Sequence, residues 1–277
     1  MIYKVIDSFL NEKICKNLIL DANLYCKNVH TKVLNERLLL PSTSLAFLEL
    51  LKKSGNWKDL HNQINSKDFL EKLSKLCDIP KNTFSITNYF FNYSPGFFLK
   101  KYKEINSRVA STIGNKNLIF YIFFKIYRYI LRVLKFKFSF KNYTELLYDY
   151  SKSPNGYHRE IHRDSDSRTI VFLLYLNSLT IDAVGGELKL FKYKKKDEKI
   201  PAQPKEQDCD LVETIAPKVG RLVVFLNSYD SLHSVSEMKN HNEYRHFLYG
   251  SFTLLAKKNK FLSNSKGNLR TNFNIFE

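Results

Sequence analysis

The chain has few cysteines and none in a CxxC pair. Cys15, Cys26, Cys77 and Cys209 stand far apart, which argues against a zinc cluster and against a disulfide scaffold and fits free thiols in a reducing compartment. The opening MIYKVIDSFLNEKICKNLI lacks the short basic start, continuous apolar stretch and small-residue cleavage site of a secretory signal, so the cytoplasm is the default expectation. No apolar run reaches the roughly 20 residues that a membrane span needs without interruption by cations. No internal repeat is evident. Acids are short as well: 27 Asp and Glu against 44 Lys and Arg give a formal net charge of +17. That balance favours an anionic partner, attracted through a field that salt weakens.

What remains is a globular composition, 44% apolar and 26% charged over 277 residues, enough to bury a substantial core as one main unit with elaborations. Residues 6–20 read as a strand entering a helix, with Asp7-Ser8 as its cap and Phe9, Leu10, Ile14 and Leu18 at helical spacing. Residues 43–77 have helical periodicity broken at Gly55-Asn56. From Leu146 onward the chain switches to short β-rich runs punctuated by turns, the pattern of a jelly roll. The expected fold is α+β: a double-stranded β-helix (jelly roll) core with N-terminal helices packed against it. Its expected parts are an N-terminal α+β part (1–112), a basic apolar insertion (113–145), the jelly-roll core (146–257) and a loosely packed polar tail (258–277).

Residues 117–143 mix large apolar and aromatic side chains with Lys125, Arg128, Arg132, Lys135, Lys137 and Lys141 and contain no acid. A core-packed helix with a basic edge in water is the simpler reading. The sharper one is an amphipathic element resting on an anionic membrane, a peripheral contact, or closing over an acidic substrate. The run KYKKKDEK (192–199) reads as a solvated surface loop.

The most informative residues are His162 and Asp164 in HREIHRD, followed much later by His233 and Arg245. Side chains two apart on a strand project the same way, so His162 and Asp164 share a face while Arg163 takes the other. With His233 they make two imidazoles and one carboxylate, a facial set that suits Fe(II) and leaves coordination positions open. These ligands bind unprotonated, so metal affinity should fall through the histidine range. Arg245 offers a planar fork that can grip both oxygens of a carboxylate, which a lysine cannot do. Alone, His233 would be an ordinary strand-end histidine and Arg245 a surface cation; their order along the chain reverses that. A zinc-protease reading of His158 and His162 fails because Arg159 stands where that motif needs glutamate. Gly185-Gly186 reads as a turn, and His246 as structural or exposed, facing away from Arg245.

The succession HREIHRD, TIVFLLYLN (169–177), GGELKLF (185–191), RLVVFLNS (221–228), His233-Ser234-Val235 and RHFLYGSFTLL from Arg245 resembles the prolyl-hydroxylase-like branch of the iron(II) and 2-oxoglutarate dependent dioxygenases, over about residues 150–255. The resemblance implies iron held by His162, Asp164 and His233, and Arg245 on the far carboxylate of 2-oxoglutarate. It also places Tyr175 beside that carboxylate, Leu188 against the co-substrate's apolar middle, and Tyr150 at the iron pocket with Tyr148 as its competitor. The activity implied is hydroxylation of an unactivated C–H bond, with dioxygen consumed and 2-oxoglutarate decarboxylated to succinate and carbon dioxide; ascorbate is a further cofactor that the resemblance admits. No general base is required, so the missing Ser-His-Asp or paired-carboxylate set costs nothing. Candidate substrates are prolyl or other peptidyl residues and small metabolites. A nucleic-acid-directed member would carry a further arginine where Ser251 stands. The remaining alternatives are a non-catalytic jelly-roll binding module, and nucleic-acid binding through the basic surface, which would weaken steeply with salt and survive iron chelation.

Overall fold

A computed structural model describes residues 1–26, 32–34, 37–88, 142–195 and 200–255, with the isolated positions 126, 130 and 134. The basic apolar stretch 117–143, the last residues of the 192–199 run and the polar tail lie outside or almost wholly outside these. The strands are β1 (Tyr3–Ile6), β2 (Lys32–Leu34), β3 (Arg37–Pro41), β4 (Phe84–Ile86), β5 (Asn142–Ser153), β6 (Arg159–His162), β7 (Arg168–Tyr175), β8 (Leu188–Tyr193), β9 (Cys209–Ile215), β10 (Leu222–Leu226), β11 (Leu232–Val235) and β12 (Arg245–Leu254). The helices are α1 (Glu12–Tyr25), α2 (Leu45–Lys53), α3 (Gly55–Ile64) and α4 (Lys67–Leu76).

Two sheets pack face to face, as a jelly roll requires. The larger runs β1-β10-β7-β12-β5-β3-β2, with β4 parallel to β5, and the smaller runs β6-β11-β8-β9. β7, β10 and β12 are buried almost throughout, because this sheet is covered on both faces and its strands must be apolar on both. The strand period of two sorts their side chains. Ile170, Phe172, Leu174, Leu248 and Phe252 join the helix-side core, while Val171, Leu173, Tyr175, Val223, Phe225 and Phe247 join Leu188 and Leu190 between the sheets. Thus each central strand contributes to two cores at once.

The helix layer is set by serines. Ser44, Ser54 and Ser66 each accept a hydrogen bond from the backbone N–H three residues on, at Phe47, Trp57 and Phe69, each cap contributing about 1 kcal/mol. Ser54 also ends α2. The break in the helical stretch therefore falls at Ser54, one residue before the expected Gly55-Asn56, and Gly55 is the first residue of α3. Trp57 is fully buried and donates to the Leu18 carbonyl at 2.8 Å. The cap of α1 is Asn11, which accepts from Ile14 at 2.8 Å. The expected cap at Asp7-Ser8 is not formed: Asp7 instead pairs with Arg221 at 2.6 Å and with Lys218 at 3.2 Å.

The boundary expected near residue 146 is crossed by β5, which begins at Asn142, and strands from the N-terminal part (β1, β2, β3 and β4) are integral members of the large sheet. All four cysteines are free, and Cys15, Cys77 and Cys209 are buried. No described helix is long and apolar enough to cross a membrane.

Candidate active site

His162 closes β6 and His233 lies on β11, and the two are direct partners across the ladder. Their rings stand 4.3 Å apart. Asp164, just past the end of β6, completes the group: one ligand atom from each of His162, Asp164 and His233 lies within 4.8 Å of the others. The facial set expected from HxD and the distant histidine therefore converges.

Each ligand is oriented by a second contact. His162 Nδ1 faces the Glu160 carbonyl at 2.8 Å and His233 Nδ1 faces the Ser231 carbonyl at 3.4 Å, which fixes Nδ1 as the protonated nitrogen and leaves Nε2 to bind a metal. Asp164 Oδ1 accepts from Arg168 Nη1 at 2.7 Å and from the Tyr249 hydroxyl. Asp164 Oδ2 is buried without a hydrogen-bond partner among the described residues and stands 3.8 Å from His233 Nε2. Burial alone would raise the carboxyl pKa, but the charge of Arg168, the neighbouring His233 and the Tyr249 hydrogen bond prevail and hold it at about 2. Burial, assisted by the neighbouring His233, pushes His162 down to about 3, and burial also lowers His233. The group thus presents an anionic carboxylate and neutral imidazoles at neutral pH, the protonation states that metal binding demands.

Arg245 opens β12 and is 1% exposed. Its Nη1 donates to the Gly186 carbonyl, and its guanidinium carbon lies 4.7 Å from the Phe247 ring centre and 5.4 Å from that of Tyr157. Nε and Nη2 are buried and unpartnered among the described residues, as is the Tyr175 hydroxyl. Burial depresses the Arg245 pKa, opposed by the nearby Tyr175. The double glycine is what allows the cradle. Both residues have positive φ, and a Cβ on Gly185 would meet the Glu237 carbonyl oxygen at 1.8 Å. Leu188 is buried in the inter-sheet core together with Tyr175.

Polar atoms left without partners in a protein interior are rare, and a buried unpaired guanidinium costs several kcal/mol. The bare Asp164 oxygen with its two flanking Nε2 atoms calls for a cation; Arg245 Nε and Nη2 with the Tyr175 hydroxyl call for a carboxylate. Iron(II) and the distal end of 2-oxoglutarate fit these demands.

Tyr150 does not join this site. Even-numbered residues of β5 face the helices, and the Tyr150 hydroxyl pairs with His246 Nδ1 at 2.7 Å while its ring packs on Trp57. Tyr148 faces the same way, 2.8 Å from His61 Nδ1. His246 is buried and structural. The site gains two residues that sequence reasoning passed over, Tyr157 against Arg245 and Tyr249 on Asp164. Tyr249 is signalled by parity alone, since it shares a strand face with Arg245 and Phe247.

A family model described as the 2OG-Fe(II) oxygenase superfamily matches residues 147–250. None of the curated proteins matches the sequence. Among solved structures, a Pseudomonas putida prolyl-4-hydroxylase aligns at 16% identity, covering 91% of this chain and 92% of that one, with a TM-score of 0.40. A Phytophthora capsici prolyl 4-hydroxylase aligns at 17% identity, covering 98% and 64%, with a TM-score of 0.49. A Trichoplax adhaerens prolyl hydroxylase, solved with a peptide fragment of the hypoxia inducible factor oxygen degradation domain, aligns at 14%, covering 91% and 83%, with a TM-score of 0.43. None reaches 0.5, and the assignment rests on the family model and on the site. Residues 147–250, with the His162, Asp164 and His233 group at their centre, are a 2OG-Fe(II) oxygenase domain.

Proposed function

We propose that the protein hydroxylates an unactivated C–H bond while 2-oxoglutarate is decarboxylated to succinate and carbon dioxide. The observation that carries this reading is the pairing of complementary vacant valences on facing sheets: a bare carboxylate oxygen between two imidazoles, and a buried guanidinium fork with a free phenol. His162, Asp164 and His233 would hold the iron. Arg245 and Tyr175 would hold the far carboxylate of 2-oxoglutarate, and Leu188 would line its apolar middle. The bound iron supplies dioxygen activation. The chain's own residues orient, neutralise and exclude water. Arg168 and Tyr249 keep the Asp164 carboxylate ionised and aimed, the backbone carbonyls of Glu160 and Ser231 fix both histidine tautomers, and the apolar walls of Val171, Leu173, Phe225 and Phe247 keep the space between the sheets dry.

Prolyl or other peptidyl residues and small metabolites are the substrate classes consistent with the sequence resemblance. A scaffold that had lost its chemistry would have no need to keep an unpaired guanidinium buried. Where a nucleic-acid-directed relative would carry a second arginine, Ser251 is buried, with its hydroxyl 3.2 Å from that of Thr253. The test is anaerobic reconstitution with Fe(II) and 2-oxoglutarate, admission of dioxygen, and assay of succinate. Succinate that requires both iron and dioxygen, and that disappears in Asp164→Ala, is expected. Iron-independent succinate, or none at all, would overturn the assignment.

A further inference from the structure

Among the described residues, the space between the sheets contains more unpaired donors than one carboxylate can use. On β3, Leu40 belongs to the helix-side core, so Leu39 and Arg37 turn the other way, toward the inter-sheet space. Extending the β3–β5 register one step beyond Leu38↔Lys152 sets Arg37 beside Ser153, and Ser153 in turn pairs with Arg245 on β12. Arg37, Ser153 and Arg245 therefore form a row across three neighbouring strands on one face. Ser151, in the next row, pairs with Phe247. The side-chain oxygens of Ser151 and Ser153, both fully buried, and Arg37 Nε are buried without hydrogen-bond partners among the described residues.

Arg37 shares the Phe247 ring with Arg245 and also lies against Tyr249. Its guanidinium carbon lies 5.6 Å from the Phe247 ring centre and 5.4 Å from that of Tyr249, and Tyr249 is the residue that holds Asp164. The guanidinium thus lies against both Phe247, on which Arg245 packs, and Tyr249, which holds a metal ligand. A carboxylate offers about four lone-pair sites; Arg245 Nε and Nη2 with the Tyr175 hydroxyl account for most of those on the far end of 2-oxoglutarate. The Arg37 and serine donors are left over.

We propose that Arg37, with Ser151 and Ser153, forms a second anion subsite that binds a carboxylate of the primary substrate. This rests on the 2-oxoglutarate reading above and narrows its substrate class to carboxylates. The planar fork of arginine matches that group, and the aromatic faces of Phe247 and Tyr249 restrain the guanidinium from below. The carboxylate could come from a free amino acid or from an acidic side chain of a peptide.

The test uses the full chain with Zn(II) in place of iron, so that binding is read without turnover. Calorimetry and thermal shift would be run, with and without saturating 2-oxoglutarate, for the free L-amino acids, their carboxamides, and blocked peptides containing Asp or Glu. The expected result is that at least one free acid or acidic peptide binds while the matching amide does not. Arg37→Leu should weaken that binding roughly tenfold or more and leave 2-oxoglutarate affinity little changed. Which of the two probe classes binds identifies the source of the carboxylate. Loss of 2-oxoglutarate affinity in Arg37→Leu would make Arg37 part of the co-substrate clamp and overturn the proposal. So would equal binding of acids and amides, or binding of no carboxylate at all. Arg37→Lys, which keeps the charge and loses the fork, supplies the same comparison if the leucine variant does not fold. Failure of wild-type protein to bind 2-oxoglutarate would count against the parent reading instead, since the Arg37 comparison is also read in its absence.

Discussion

Tyr249, on the large sheet, hydrogen-bonds Asp164, which follows a strand of the small one. The metal-binding carboxylate is therefore steered from the opposite side of the pocket, by a phenol that shares its oxygen with Arg168. Tyr249→Phe removes only that hydroxyl. Fe(II) affinity, measured by competition with a chromophoric chelator, should fall about 10- to 100-fold, the usual cost of losing an outer partner of a metal ligand. Unchanged affinity would show that Arg168 alone holds the carboxylate.

Arg245 sets function against stability. Arg245→Met should abolish measurable 2-oxoglutarate binding by calorimetry, yet raise the stability of the ligand-free protein in urea by about 1–4 kcal/mol, because an unpaired buried charge is replaced by an apolar side chain of similar length. A destabilised variant would mean that the hydrogen bond to the Gly186 carbonyl outweighs the cost of burying the charge.

Acid should unfold the protein through its buried histidines. Burial holds His61 at about 4, and burial together with the charge of Lys152 holds His246 at about 4, against an ordinary 6.5. Since the folded-state values are depressed, the unfolded chain binds more protons between these limits. Their stabilisation is complete above pH 6.5 and is lost as pH falls toward 4, on the order of 3 kcal/mol per histidine at the limit. In the metal-free protein His162, held at about 3, acts in the same direction. Urea midpoints at pH 7, 6, 5 and 4.5 should decline steadily; a flat profile would contradict the buried neutral state of these rings.

The glycine turn beneath Arg245 should tolerate no side chain. In Gly185→Ala the new methyl would meet backbone, not a flexible side chain, at a φ of +82°, so a loss of at least about 2 kcal/mol is expected. The weakening of 2-oxoglutarate binding should exceed that in Gly156→Ala, where nothing lies within 4 Å of the added Cβ. Equal effects in the two variants would remove the turn from the co-substrate cradle.

The strands and the ligand group were legible because their signals are local: the short apolar runs of TIVFLLYLN and RHFLYGSFTLL bounded by turns, and the two-residue spacing of His162 and Asp164, follow from the sequence alone. The faces of β5 were not. Tyr148, Tyr150 and Asp149 alternate correctly, but which parity faces the metal depends on the helices that bury Tyr150 against Trp57, and these come from a distant part of the chain. The same limit hid Arg37, separated by more than a hundred residues from the strand it lies beside. The cap of α1 was misplaced because Asp7 and Asn11 are both good capping types, and the choice fell to Arg221, which claims Asp7 from another strand.

The histidines belong to one leaf of the sandwich, while Arg245, Tyr175 and Tyr249 belong to the other. Loaded as proposed, metal and dicarboxylate rivet the two leaves, and by mass action every increment of occupancy is also an increment of resistance to unfolding, about 2.7 kcal/mol at a hundredfold excess over the dissociation constant. A cell short of co-substrate would thus hold a slacker protein whose seam yields first to proteases.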